Sequence, residues 1–331
     1  MPERLHVYSI GMRTRFRGIT EREGLLWQGA FGWAEWSPFL DYHDEELVGW
    51  LQAAQEAADQ GWPAPVRSFV PVNCTVPAVG PEQAERIVEE SGCGTAKVKV
   101  AEPGQSLTDD VERVAAVRAA LGPGGRVRVD ANGAWSVEDA VSAIGRLARF
   151  DLEYVEQPCL SVEELSEVRV RLARAGIDVP LAADESIRRA HDPYRVAELK
   201  AADVAVLKVQ PLGGVRACLE IAERIGLPVV VSSALETSVG IRAGLALAAA
   251  LPELPYACGL NTVPLLTDDV VATPLVAVDG QLPVSALDVG PEALKRCRAT
   301  PDRATFWQAR LVQARLDLAR RLAAGPGSAH G

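Results

Sequence analysis

The sequence predicts an α/β protein: a (β/α)8-type barrel carrying a smaller α+β capping domain. Three observations predict it. Short β-branched runs recur, namely AKVKV with Lys99, RVRVD ending at Asp130, EYVEQ with Glu156, PLAAD ending at Asp184 and DVAVLK ending at Lys208. These residues lie 31, 26, 28 and 24 positions apart, and a strand, loop and helix together occupy about 25–30 residues. Helical patterns fill the gaps over 109–121, 136–150, 162–175 and 212–225. Strand-then-helix repetition means parallel strands with right-handed crossovers. Polar residues gathered at strand C-termini mark the active face of a barrel. A doubly wound open sheet shares the alternation and is the architectural alternative. It does not easily bring five successive strand ends around one point.

Along the chain, residues 1–65 read as the α+β capping unit, 66–265 as the barrel, and 266–331 as a segment completing the cap. In the first unit, 5–10 and 25–35 read as strands and 44–58 as a helix. The charged stretch 13–23 around Gly18 reads as a mobile flap with Arg13, Arg15 and Arg17 on a solvated face. Barrel strand one falls at 70–75 and strand eight at 256–261. A hairpin follows over 275–284, turning at Asp279-Gly280, the strongest short turn signal. Helices are expected at 291–298 and 304–323, with a frayed tail from Gly325.

Composition excludes several function classes. A net charge of −10 without a long basic run disfavours nucleic acid and anionic membrane as partners. Charges scattered through residues 1–20 leave no signal-peptide core, and no window has the roughly 20 apolar residues of a membrane span. The expected setting is the cytoplasm. Six cysteines without a C-x-x-C pair read as reduced, buried small hydrophobes. The four histidines, 6, 43, 191 and 330, form no ligand cluster.

Lysine usage carries the chemistry. Only five lysines stand against 29 arginines, and Lys97, Lys99 and Lys208 fall at strand ends. Arginine is effectively never deprotonated, whereas a lysine amine can be tuned into a base. Alternate strand residues share a face, so Lys97 and Lys99 point together, with Arg128 beneath Asp130 and Tyr154 beneath Glu156. Asp130, Glu156 and Asp184 form an oxygen-only set suited to a hard cation, Mg²⁺ or Mn²⁺; Glu185 competes with Asp184 for the third place. Such a metal polarises a substrate carboxylate while the adjacent C–H is deprotonated. Lys99 is the candidate base, and a neighbouring Lys97 charge lowers its amine toward the useful range. Lys208, from the opposite side of the ring, is a second base, a proton donor or a fixed cation. The expected partner is a small-molecule carboxylate.

Lys97-Val98-Lys99, Asp130-Ala131-Asn132, Glu156-Gln157-Pro158, Asp184-Glu185-Ser186 and Lys208 resemble the enolase superfamily, in its muconate-lactonising branch. The resemblance spans the barrel. In the first 65 residues it rests only on Gly32-Trp33-Ala34-Glu35 and Ser37-Pro38. It implies the modified (β/α)7β barrel, Mg²⁺ held by Asp130, Glu156 and Asp184, and Lys99 as base; lysine or histidine bases beside Mg²⁺ are that superfamily's known pairing. Within the branch, three features resemble the o-succinylbenzoate synthases. Arg128 matches an arginine common among them. Gly259-Leu260-Asn261-Thr262 is similar to their eighth-strand G-L-x-T, which meets a succinyl carboxylate. Ser232-Ser233-Ala234-Leu235-Glu236-Thr237-Ser238 is similar to their seventh-strand S-S-x-x-E-[ST]-S, placing Ser232 at the same carboxylate. The implied reaction is syn-dehydration of 2-succinyl-6-hydroxy-2,4-cyclohexadiene-1-carboxylate to o-succinylbenzoate, a step of menaquinone biosynthesis. Lys99 would take the α-proton and return it to the departing hydroxyl, with Lys208 stabilising the enediolate. The alternative is an N-acyl (succinyl) amino acid racemase or epimerase using Lys99 and Lys208 as opposed bases.

Overall fold

The structure, a computed structural model, describes residues 5–190 and 192–324. His191, His330 and the tail from Gly325 lie outside the described residues.

The capping sheet is antiparallel, with β1 (His6–Phe16), β2 (Ile19–Gln28) and β3 (Trp33–Trp36) in that order. The stretch expected to be a flap is instead the end of a β-ribbon. Phe16 pairs with Ile19 across a turn in which Arg17 (φ 50) and Gly18 (φ 77) are both left-handed. Arg13, Arg15 and Glu21 on this ribbon are exposed, while Phe16, Arg22 and Glu23 are buried. Helix α1 (Glu46–Gln55) runs on into one π-helical turn, Glu56–Gln60. Leu25, Trp27, Trp36 and Trp50 form the cap's core.

The barrel begins with β4 (Phe69–Val76), α2 (Pro81–Ser91), β5 (Thr95–Lys99), α3 (Leu107–Leu121), β6 (Arg126–Asp130), α4 (Val137–Leu147), β7 (Leu152–Glu156) and α5 (Val162–Arg174). It continues with β8 (Leu181–Ala183), the short α6 (Glu185–Arg188) and α7 (Arg195–Glu198), β9 (Val204–Leu207), α8 (Val215–Ile225), β10 (Val229–Val231), α9 (Ser238–Ala250) and β11 (Cys258–Asn261). The strands are parallel and ordered from β10 down to β4 and then β11. A parallel bridge between Ser232 and Gly259 joins the two ends. Only a 3₁₀ turn, Val263–Leu265, follows β11, which makes this the (β/α)7β form. The open-sheet alternative is therefore excluded. Val98, Val127, Val129 and Val155 face the helices, while Ala182, Val204, Val206 and Val230 fill the interior.

Two elements differ from expectation. The Asp279-Gly280 turn is present, with both residues at positive φ and Val278 bridging Gln281. Its second arm, β12 (Gln281–Pro283), spends its pairing on β4 rather than on the first arm. Helix α9 was not legible because eleven of its thirteen residues are buried, and a helix buried all round lacks an amphipathic stripe. After α10 (Pro291–Arg296), α11 (Pro301–Ala324) returns to the cap. It lays Trp307, Leu311, Ala314 and Leu318 on the core of Trp36 and Trp50, at the spacing of one helix face. All six cysteines are free and buried. Among the described residues no helix is long and apolar enough to cross a membrane.

Trp307 meets Trp36 edge to face with ring centroids 5.8 Å apart. Trp307→Ala should cost about 3–5 kcal/mol in urea unfolding, the usual loss for truncating a buried tryptophan. A loss below about 1 kcal/mol would mean that α11 does not complete the cap's core.

Candidate active site

Parallel register stacks the chemical residues in two rows. Lys99 lies beside Asp130 and Asp130 beside Glu156; one step down, Lys97 lies beside Arg128 and Arg128 beside Tyr154. Both rows point into the barrel, because alternate residues share a face. Asp184 and Lys208 follow directly on the ends of β8 and β9. Past two of the carboxylates the chain bends sharply, with Asn132 (φ 48) and Gln157 (φ 41) left-handed, a region few non-glycine residues adopt. The bend lets Gln157 tie β7 to β8. Its Oε1 accepts from the backbone N–H of Asp184 (2.9 Å) and Ser186 (3.1 Å), and its amide donates to Ser186 Oγ (2.7 Å).

Each carboxylate is wholly buried and ion-paired. Lys97 Nζ reaches both Glu156 oxygens at 2.8 and 2.9 Å and lies 3.4 Å from Asp130. Lys99 Nζ donates to Asp130 Oδ2 (2.5 Å) and Asn132 Oδ1 (2.6 Å). Lys208 Nζ donates to Asp184 Oδ2 (2.6 Å), whose other oxygen accepts from Arg188 Nε (2.9 Å). Arg188 also holds Glu185 (2.5 Å) and the hydroxyl of Tyr42 from the cap.

The electrostatics show that the carboxylates crowd one another. Burial first, then the charge of Asp130, pushes Glu156 up to about 7 against the pull of Lys97. Burial and Glu185 push Asp184 up to about 6 against Lys208. For Asp130 burial acts the same way, but Lys99 and Lys97 outweigh it and the carboxyl sits below the usual range. Burial works against the Lys97 ammonium, yet Glu156 and Asp130 outweigh it and its pKa is raised. Lys97 is thus a fixed positive charge beside Lys99. Burial is the larger influence on Lys208, whose pKa is lowered.

Lys97, Lys99, Asp130, Asn132 and Lys208 line a cavity of about 40 Å³, together with Thr75. Ser232 and Gly259 are in its wall, with Thr262 just after β11. A Cβ at Gly259 would lie 2.5 Å from Ser232 Oγ and would displace that hydroxyl. Phe16, Arg17 and Phe39 close the cavity from the cap. A larger cavity, about 640 Å³, opens at the other end of the barrel beside Asp178, Asp203 and Tyr256. These residues precede their strands, and barrel chemistry sits at the C-terminal ends, so the smaller cavity is the candidate site.

Arg128, the other residue the resemblance offers as a substrate-binding candidate, is held elsewhere. Its guanidinium is buried inside the barrel, bonded to Glu153 Oε2 (2.5 Å), Asn73 Oδ1 (3.1 Å) and the Ala257 carbonyl (2.7 Å), and stacked 4.7 Å from the Tyr154 ring. It is absent from the cavity wall. Lys97 shares its row and does line the cavity, so what keeps Arg128 out is its bonding to Glu153, Asn73 and Ala257. Sequence reading missed Arg188 and Tyr42. Arg188 had a signal, standing four residues after Asp184 where a helix begins; Tyr42 had none, since only the docked cap brings it near.

Fold and site together define an enolase-type barrel enzyme. Residues 81–290 match the enolase C-terminal domain-like family and residues 7–58 the enolase N-terminal domain-like family. Among curated relatives, the o-succinylbenzoate synthase of Thermobifida fusca is 63% identical over 93% of this chain and 95% of its own. That of Mycolicibacterium smegmatis is 54% identical over 92% of this chain and 93% of its own. Among solved structures, N-succinyl Arg/Lys racemase from Bacillus cereus superposes with a TM-score of 0.75 at 19% identity, covering 91% of this chain and 99% of that one. Muconate lactonizing enzyme from Pseudomonas putida gives 0.72 at 22%, covering 90% and 99%. These two likenesses concern the fold alone. The chain belongs to the o-succinylbenzoate synthase family of the enolase superfamily, and it is an enzyme, a carbon–oxygen lyase.

A carboxyl with a raised folded pKa contributes stability that is present below its unfolded pKa and lost as pH rises through the folded value; a depressed one, like Asp130, does the reverse. Glu156 belongs to the first kind. Lys97→Met removes the ammonium that holds Glu156 down, so the variant's urea midpoint should drop increasingly below wild type between about pH 6 and 8. A gap that stays constant with pH would contradict this account of Glu156.

Proposed function

We propose that the chain dehydrates 2-succinyl-6-hydroxy-2,4-cyclohexadiene-1-carboxylate to o-succinylbenzoate, with Lys99 as the proton-transfer base. The observation that carries the reading is the cavity at the barrel mouth where Lys99 and Lys208 meet from β5 and β9 beside buried carboxylates. The identity to o-succinylbenzoate synthases supports this substrate over an N-succinyl amino acid, because the racemase likeness extends to fold only.

The donor set fits a hard divalent cation. Asp130, Glu156 and Asp184 supply only carboxylate oxygens, and burial, with Asp130 beside Glu156 and Glu185 beside Asp184, raises the latter two. Glu185 Oε2 is buried nearby with no hydrogen-bond partner. Among the described residues the acids are not drawn around a common point, since lysine ammonium groups interleave them. We assign Asp130, Glu156 and Asp184 as the residues that would hold Mg²⁺ (or Mn²⁺). The bound cation would supply positive charge against the substrate carboxylate, acidifying the adjacent C–H.

Lys99 removes that proton and hands it to the departing hydroxyl on the same face, so water leaves and the ring becomes aromatic. Asn132 and Asp130 aim the amine through their hydrogen bonds to Nζ. Lys97, anchored on Glu156, keeps a positive charge beside Lys99. Lys208 provides a cation opposite Lys99 for the negative charge spreading over the carboxylate. Ser232 and the Gly259 backbone stand where the succinyl carboxylate would lie. A cytoplasmic setting belongs to the same proposal.

Lys99→Ala should abolish dehydration while leaving thermal unfolding and cation binding in place. Residual activity within about tenfold of wild type, or about 1.4 kcal/mol, would remove Lys99 from the base role. Cation binding itself should expel protons near pH 6, where Glu156 (about 7) and Asp184 (about 6) still carry them, and almost none near about pH 9. Calorimetry with Mg²⁺ in buffers of different ionisation heat measures this; proton release independent of pH would contradict the ligand assignment.

A further inference from the structure

The wall of the cavity opposite the lysines is a turn, Ser233-Ala234-Leu235, between β10 and α9. Its backbone is unusual. Leu235 sits at φ +61, a left-handed conformation that a branched side chain does not hold without support. Glu236 closes the turn from within, its Oε2 accepting from the Ala234 N–H at 2.7 Å.

Support also comes from the cap. Arg22, on β2 and only 2% exposed, donates from Nε to the Leu235 carbonyl (3.0 Å) and from Nη2 to the Ala234 carbonyl (3.1 Å). The same nitrogen binds Ser37 Oγ (2.9 Å) and the Ser37 carbonyl. Its guanidinium carbon lies 4.6 Å from the Phe39 ring, which Arg17 approaches to 4.3 Å. Phe39 and Arg17 are themselves cavity wall. From β3, Glu35 takes the N-terminus of α9: its Oε2 accepts from Thr237 N–H (3.1 Å), Thr237 Oγ1 (2.5 Å) and Gly240 N–H (3.0 Å). A carboxylate is favoured at a helix N-terminus. Arg22 and Glu35 therefore grip the two sides of one turn, one by its carbonyls and the other by its N–H groups.

We propose that Arg22, with Glu35, is a positioning residue that holds the Ser233–Leu235 wall in the shape the non-reacting end of the substrate requires. It touches neither the lysines nor the carboxylates, so it acts on binding rather than on proton transfer. The proposal rests on the dehydration reading above and assigns that site's distal wall to the cap.

The test measures Arg22→Ala and Arg22→Lys with the cyclohexadiene carboxylate in Mg²⁺, beside hydrogen exchange at the Leu235, Glu236 and Thr237 amides. Arg22→Ala should raise KM about tenfold while kcat stays within about twofold, the pattern of lost uniform binding. Exchange at the three amides should accelerate, and added methylguanidinium should recover KM. Arg22→Lys keeps the charge but cannot span both carbonyls, so its KM should fall between the two; it also decides the matter if the alanine variant does not fold. An unchanged KM, or a fall in kcat alone, overturns the proposal. If wild type does not dehydrate the substrate, the functional reading is lost, and unchanged amide exchange in both variants would separately overturn the clasp.

Discussion

The active face depends on keeping three carboxylates charged or half-charged where no water reaches them. Asp130, Glu156 and Asp184 are each wholly buried, and a buried charge without a partner is too costly to keep. The chain answers with Lys97, Lys99, Lys208 and Arg188, each bonded to at least one carboxylate. Glu156 and Asp184 are nonetheless raised, first by burial and then by their acidic neighbours.

Geometry around this cluster follows from strand register. Parallel pairing puts Lys99, Asp130 and Glu156 in one row without any loop having to bring them together. Loops then refine what the rows provide, through the left-handed bends at Asn132 and Gln157. The cap supplies what the barrel cannot: an apolar roof of Phe16 and Phe39, and the Tyr42 hydroxyl held by Arg188.

Much of the barrel was legible because its strands are short, β-branched and terminated by chemistry. Val98 and Val100 flank Lys99 in strict alternation, and that parity alone placed Lys97 and Lys99 on one face. Asp130 and Glu156 were legible for the same reason. The capping hairpin was not. Residues 13–23 carry loop-like charge, part of it solvated and part, at Arg22 and Glu23, buried in contacts the sequence does not show. Helix α9 failed for the opposite reason, being apolar and small on every side. Arg128 illustrates a third limit: its row was right, yet which partners a side chain takes within a row is set by packing. There it bonds Glu153 and the Ala257 carbonyl instead of lining the mouth.

The measurement that bears most directly on the account follows purified enzyme and Mg²⁺ in D₂O, with the cyclohexadiene carboxylate and, separately, N-succinyl amino acids. Fast formation of o-succinylbenzoate without deuterium entering the amino acids' α-carbons is the predicted result. It requires Lys99 to work on one face with Lys208 as a fixed cation. Rapid α-deuteration with weak dehydration would contradict that division of labour, leaving the barrel intact but making the two lysines opposed bases.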